Sequence, residues 1–131
     1  MDEGVSSADS AAAAENTPSE DFTTFSFRII ALAGEAHSFA MQSIKAARAG
    51  DFPEAASLLE HAEKDFSDSH DIQTEGLTVQ ARGVQLPVDI LLVHAQDHLT
   101  MANMAIENAR VFIDLYQKLA TATDHPHPME E

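Results

Sequence analysis

From Phe22 onward, apolar side chains return every three or four residues: Phe22, Phe25, Ile29, Ile30, Leu32, Ala33, Ala36, Ala40, Ile44 and Ala47. That spacing keeps one side of a helix apolar. It predicts a first helix capped by Asp21, whose side-chain oxygen can accept from the free amides of the first turn. Gly50, just past Ala49, supplies the stop. Gly34 falls inside this helix, where it costs about 1 kcal/mol relative to alanine; a close approach of another helix would explain it. Asp51 caps a second helix, and Pro53 sits in its first turn, where a missing N–H is tolerated. Ala55, Ala56, Leu58, Leu59, Ala62, Phe66, His70, Gln73 and Leu77 mark the expected inner face, with Asp65, Asp68, Asp71 and Glu75 toward solvent. That helix ends near Gly83, and residues 83–87 form a short connection.

The third helix begins near Val88 or Asp89 and runs to about Leu119. A seam can be counted along it in alternating steps of four and three: Ile90, His94, Asp97, Met101, Met104, Asn108, Val111 and Leu115. This is the heptad spacing of coiled-coil packing, and polar residues within such a seam set register and oligomer number at a cost in stability. The seam alone does not choose the number. The expected fold is all-α, an antiparallel up-down-up three-helix bundle with short loops. Three helices make a thin core, and the extra seam points to association with further copies of the chain.

Outside the helical pattern, residues 1–21 are rich in Ser, Ala, Glu and Asp and carry few large apolar side chains. Such a segment cannot bury enough surface to offset its ordering entropy, so a disordered acidic tail is expected. Residues 22–120 form the domain, and 121–131 form a second tail in which His125 and His127, set among prolines, are solvated.

Charge and composition narrow the function. The 131 residues carry 22 acidic and 7 Lys or Arg side chains, a formal net charge of -15. Phosphates would repel this surface, which argues against a nucleic-acid partner and for one with a basic patch. Cysteine is absent, which removes disulfides, thiol nucleophiles and cysteine metal sites. No apolar run is long enough to cross a bilayer and the N-terminus lacks a signal-peptide core, so a cytoplasmic protein without direct membrane insertion is expected.

The chemistry concentrates in Leu91-Leu92-Val93-His94-Ala95-Gln96-Asp97-His98-Leu99. Residues three and four apart share a helix face, so His94, Asp97 and His98 point roughly the same way. Desolvating two imidazoles and a carboxylate is costly without partners. A zinc hydrolase is one reading, since two histidines at i and i+4 can bind one metal. The zinc-protease helix needs Glu directly after its first histidine, and that position is Ala95. A phosphohistidine carrier is another. Neutral imidazole is a nucleophile near pH 7 and can hold a covalent intermediate. His98 can offer an N–H or a positive charge to the incoming phosphoryl oxygens, and Gln96 its amide donors; positioning and electrostatics are most of what phosphoryl transfer requires. A third reading is a non-enzymatic oligomeric interaction module with a buried His94/Asp97/His98 hydrogen-bond network.

The segments Ala33-Gly34-Glu35-Ala36, Ala46-Ala47-Arg48-Ala49-Gly50-Asp51-Phe52, His70-Asp71-Ile72-Gln73-Thr74 and, above all, Val93-His94-Ala95-Gln96-Asp97-His98-Leu99 carry a family resemblance. From about Phe22 to Leu119 the chain resembles the enzyme IIA components of the lactose/cellobiose/chitobiose class of the bacterial phosphoenolpyruvate-dependent sugar phosphotransferase system. The resemblance implies a homotrimer of three-helix subunits. It implies that His94 accepts the phosphoryl group, that His98 helps hold it with Gln96 nearby, and that Asp97 binds a divalent metal ion jointly from three subunits. Hard carboxylate oxygens suit Mg or Ca, and the neighbouring imidazoles leave Zn or Mn open. The implied donor is the general histidine phosphocarrier protein. The implied acceptor is a cysteine on the cognate IIB component, which serves sugar uptake through the membrane component IIC. Two departures stand out. His37-Ser38 replaces the Arg-Ser that relatives often carry, and Leu99-Thr100-Met101 replaces Leu-Met-Thr.

Overall fold

The computed structural model describes residues 18–124. It consists of α1 (Pro18–Arg48), α2 (Phe52–Ala81) and α3 (Ile90–Thr123), joined by residues 49–51 and 82–89. Among the described residues there is no strand. α1 starts at Pro18, three residues ahead of the expected cap Asp21, which instead lies in its first turn. Proline suits a first helical position, because its fixed φ is already helical and the N–H it lacks would have no intrahelical partner. α3 likewise runs past Leu119 to Thr123. The expected tails, with His125 and His127, otherwise lie outside the described residues.

Local chemistry sets the helix ends. Gly50 has φ 83° and Gly83 φ 97°, a region closed to most side chains. After α1, the Asp51 amide donates to the Ala46 carbonyl (2.9 Å) and the Gly50 amide to Ala47 (3.0 Å). After α2, Val84 donates to Val79 (3.4 Å) and Gly83 to Gln80 (3.0 Å). Both are the paired reverse bonds that satisfy the last carbonyls of a helix around a left-handed glycine. At the N-termini, the Asp51 carboxylate accepts from the Glu54 amide (3.1 Å) and the Asp89 carboxylate from Leu92 (2.8 Å).

The interior is built largely from small residues. Ile29, Ala33 and Ala36 of α1 pack with Ile72 of α2 and Ala95, Leu99 and Ala102 of α3. Further along, Ala40, Ala62, Ala105, Ile106 and Ala109 continue the core. Alanine lets helix backbones come close but contributes little apolar area per residue. On α2 the inner face differs from the expected one. Ala55, Ala62, Ser69, Ile72 and Gly76 are buried, whereas Ala56, His70 and Leu77 are exposed. The reason is size. A Cβ added to Gly76 would stand 2.5 Å from Phe25 Cζ, so only glycine admits that ring. Ser26, Ser43 and Ser69 are also buried. Ser43 Oγ donates to the Ala40 carbonyl (2.7 Å) and Ser69 Oγ to Ile29 (3.4 Å), which is how a hydroxyl is tolerated inside a helix packing face. No helix among the described residues is long and apolar enough to cross a membrane.

α3 carries two heptad stripes offset by two residues. Ala95, Leu99, Ala102, Ile106 and Ala109 are buried against α1 and α2. The seam counted from the sequence is the other stripe, and every member of it is exposed in the single chain. Two residues are about 200° around a helix, so the seam faces outward, on the side of α3 away from the chain's own core.

Candidate functional site

The buried pair Ala95 and Leu99 fixes the rotation of α3 and thereby aims the residues between them. His94 and Asp97 are exposed and His98 is half-buried. The His94 and His98 rings lie 4.2 Å apart between centroids, inclined by 54°. Their one-turn separation makes this contact direct, as the i, i+4 spacing predicts. His98 Nδ1 is buried without a hydrogen-bond partner. An unpaired buried ring nitrogen is costly, and it leaves Nε2 as the His98 atom able to act at the surface.

Gln96 goes elsewhere. It is two residues from His94, about 200° around the helix, and turns toward α2, where its Oε1 accepts a hydrogen bond from Gln73 Nε2. That bond leaves the Gln96 amide hydrogens as donors and fixes which way they point. The two amides border a cavity of about 240 Å³ with Phe25, Leu77, Leu86 and Leu92. So the structure brings His94 and His98 together, with Asp97 beside them, but it does not place Gln96 next to His94 within one chain. Gln73 is the residue that sequence reasoning undervalued. It reads as an ordinary polar position on α2, and only its pairing with Gln96 ties it to the motif.

The buried network of the interaction-module reading is absent among the described residues. No hydrogen bond joins His94, Asp97 and His98, and two of the three are exposed. Within one chain, no group of three His, Cys, Asp or Glu side chains converges as a metal site among the described residues. The Asp97 carboxylate is a single ligand on the outward stripe.

A second cavity, about 200 Å³, lies between α1 and α3 and is lined by Ala33, Gly34, His37, His98 and Met101. Gly34 faces it. An added Cβ there would meet His98 Cδ2 at 3.9 Å, an ordinary contact. The close helix approach expected at Gly34 is not what the structure shows: the one atom within reach is a side-chain carbon of His98 at ordinary contact distance.

Three helices with an exposed His94 and a half-buried His98 on the third define a small all-helical domain, and its family is known from similar proteins. Residues 24–117 match the lactose/cellobiose-specific IIA subunit family of the phosphotransferase system, and the chain belongs to that family. It is 33% identical to the lactose-specific EIIA component of Lacticaseibacillus casei over 100 residues, covering 76% of this chain and 89% of that one. The crystal structure of the cellobiose-specific enzyme IIA from Bacillus anthracis superposes with a TM-score of 0.74 at 38% identity, covering 82% of this chain and 96% of that one. The chitobiose IIA solved in solution in complex with HPr matches with a TM-score of 0.67 at 28% identity, covering 76% and 96%.

Proposed function

We propose that this IIA component is a phosphocarrier whose phosphoacceptor is His94. The observation that carries the reading is the outward-facing imidazole pair: an exposed nucleophile with a second ring 4.2 Å away and no competing hydrogen bond between them. The general histidine phosphocarrier protein is the donor, in keeping with the chitobiose relative solved with HPr. An unprotonated ring nitrogen of His94 attacks the phosphorus, the donor's N–P bond breaks, and its electron pair returns to the donor imidazole. In the second transfer, a cysteine thiolate of the IIB component attacks the phosphorus, and the pair of the breaking N–P bond returns to His94. His98 Nε2 donates to the phosphoryl oxygens, which is the electrostatic positioning such transfers need. The sugar then enters phosphorylated, and the cargo is of the lactose, cellobiose or chitobiose type.

The working unit is an up-down-up homotrimer in the cytoplasm. The Gln73–Gln96 and Glu63–Arg110 pairs support an antiparallel α2 and α3, because the later residue of α2 meets the earlier one of α3 and the earlier meets the later. The exposed apolar stripe supports self-association: Ile90 is 87% exposed, Met104 59%, Val111 58% and Leu115 53%. Exposed apolar residues recurring along one helix face in this way support an interface. Gln96, turned from its own His94, reaches a phosphoryl group across the boundary between copies. Asp97 from each copy would hold a shared divalent cation, with Mg favoured by the carboxylate oxygens; the cation would supply positive charge that offsets mutual repulsion. A lone, unpaired, outward carboxylate on the seam fits a site completed by copies better than one within a chain.

The test is phosphorylation of the full-length chain by the general histidine phosphocarrier protein, itself charged from phosphoenolpyruvate, followed by mapping of acid-labile phosphate. His94 carries the label, and His94→Gln abolishes it while keeping the helical signal. Full labelling of that variant would show that another residue is the acceptor.

A further inference from the structure

We infer that the cavity between α1 and α3 receives the oxygens of the phosphoryl group carried on His94, with His37 as a second donor facing His98 across it. The inference rests on the reading of His94 as phosphoacceptor. The geometry points there in three ways.

First, the cavity opens on the correct face. Met101, one of its walls, belongs to the same outward stripe as His94 and Asp97. His98, another wall, is the ring that lies 4.2 Å from His94. Side chains of α1 and α3 lean toward their helix N-termini, which brings the His37 ring back toward the level of Gly34, opposite His98. Second, the cavity has the necessary room. Its volume is about 200 Å³, against about 30 Å³ for one water in the liquid, so a phosphoryl group and its bridging waters fit. Gly34 keeps that room open, since any side chain larger than alanine would fill the space in front of His98. Third, the donors are there and nowhere else in the wall. Ala33, Gly34, His37, His98 and Met101 include no Lys, Arg, Asp or Glu. In a chain of net charge -15, a phosphoryl dianion is unwelcome unless specific N–H groups meet it, and charge-assisted hydrogen bonds are the strong ones. His37 makes no hydrogen bond or ion pair among the described residues, so its nitrogens are available.

The experiment uses the full chain charged by the general histidine phosphocarrier protein. The labelling rate and the half-life of the acid-labile phosphate are followed for wild type, His37→Ala, His37→Arg and Gly34→Leu, with thermal stability measured in parallel. The expected result is a roughly tenfold loss of labelling rate or phosphate half-life in His37→Ala, the scale of one charge-assisted hydrogen bond. His37→Arg, which restores fixed N–H donors, recovers most of it, and Gly34→Leu loses it by occupying the space. Melting temperatures stay close to wild type. Unchanged labelling in both His37→Ala and Gly34→Leu would overturn the inference, as would a loss that Arg does not rescue. A second measurement separates this inference from the His94 reading. Inorganic phosphate added to the unphosphorylated protein should shift the ring resonances of His37 and His98 in wild type and not in Gly34→Leu. If the chain is never labelled but phosphate still shifts those rings, the carrier reading fails and the anion cavity stands. If labelling is normal and phosphate shifts neither ring, the carrier stands and the cavity fails.

Discussion

Two glycines with the same chemistry meet different surroundings. Replacing Gly34 by alanine puts a methyl group 3.9 Å from His98 Cδ2, which is ordinary contact, and it gains helix propensity of about 1 kcal/mol. The same change at Gly76 puts the methyl 2.5 Å from Phe25 Cζ and 2.8 Å from Cε2. The ring must then move out of its seat, at a cost of about 1–3 kcal/mol for overpacking. Chemical denaturation should rank Gly34→Ala at or above wild type and Gly76→Ala below Gly34→Ala. Equal midpoints for the two variants would mean that the Phe25 ring swings aside freely. At this scale the sequence is readable where a rule of spacing acts alone. The i, i+4 spacing of His94 and His98 is enough to bring their rings together. It is not readable where the answer depends on a second helix: that Gly76 seats Phe25, that Ser69 reaches the Ile29 carbonyl, or that Gln73 takes Gln96 away from His94.

The end of α1, both ends of α2 and the start of α3 rest on local devices. Asp51, Asp89, Gly50 and Gly83 all act as their residue types predict, because a cap depends on bonds within a few residues of the chain. Asp89 offers a clean test. Its carboxylate holds the Leu92 amide at 2.8 Å, and Asp89→Ala should lower stability by about 1 kcal/mol. The first turn of α3 would fray, but Ala95 and Leu99 stay anchored in the core, so His94 keeps its place and its capacity for labelling. A denaturation curve together with the phosphorylation assay checks both halves, and loss of labelling at unchanged stability would contradict this account. Faces were harder to read than ends. On α1 the large and small apolar residues agree on one side, and the expected face is largely the buried one. On α2 the expected face is partly wrong: Leu59 and Phe66 do pack against the core, but Ala56, His70 and Leu77 are exposed while Ser69, Ile72 and Gly76 are buried. On α3 two heptad stripes lie two residues apart, on opposite sides of the helix. The count found the outward one, because Ile90, Met104, Val111 and Leu115 are larger than the alanines that line the inward one.

That outward stripe governs the behaviour of the whole molecule. Burying it against copies of itself would remove from water four apolar side chains that are each more than half exposed, Ile90, Met104, Val111 and Leu115, and it would bring the Asp97 carboxylates toward a common axis. Like charges brought close oppose assembly. A shared cation reverses the sign of that effect. For the proposed trimer, sedimentation equilibrium should return the mass of three chains, and a monomer at micromolar concentration would remove the basis of the assembly. Chelation should lower the melting temperature of the wild-type trimer, without necessarily dissociating it, since the apolar contacts along Met101, Met104, Val111 and Leu115 persist. Asp97→Leu replaces the carboxylate with a side chain that suits the seam, and exchanging buried charge for apolar packing is often neutral or stabilising. That variant should melt at or above the wild-type temperature and be indifferent to chelator. The comparison needs four melts, wild type and Asp97→Leu, each with and without chelator. If chelator changes neither protein and Asp97→Leu is several degrees less stable, Asp97 is not a shared metal ligand; it then makes a specific hydrogen bond to a neighbouring copy, and the seam is held by that bond together with its apolar residues.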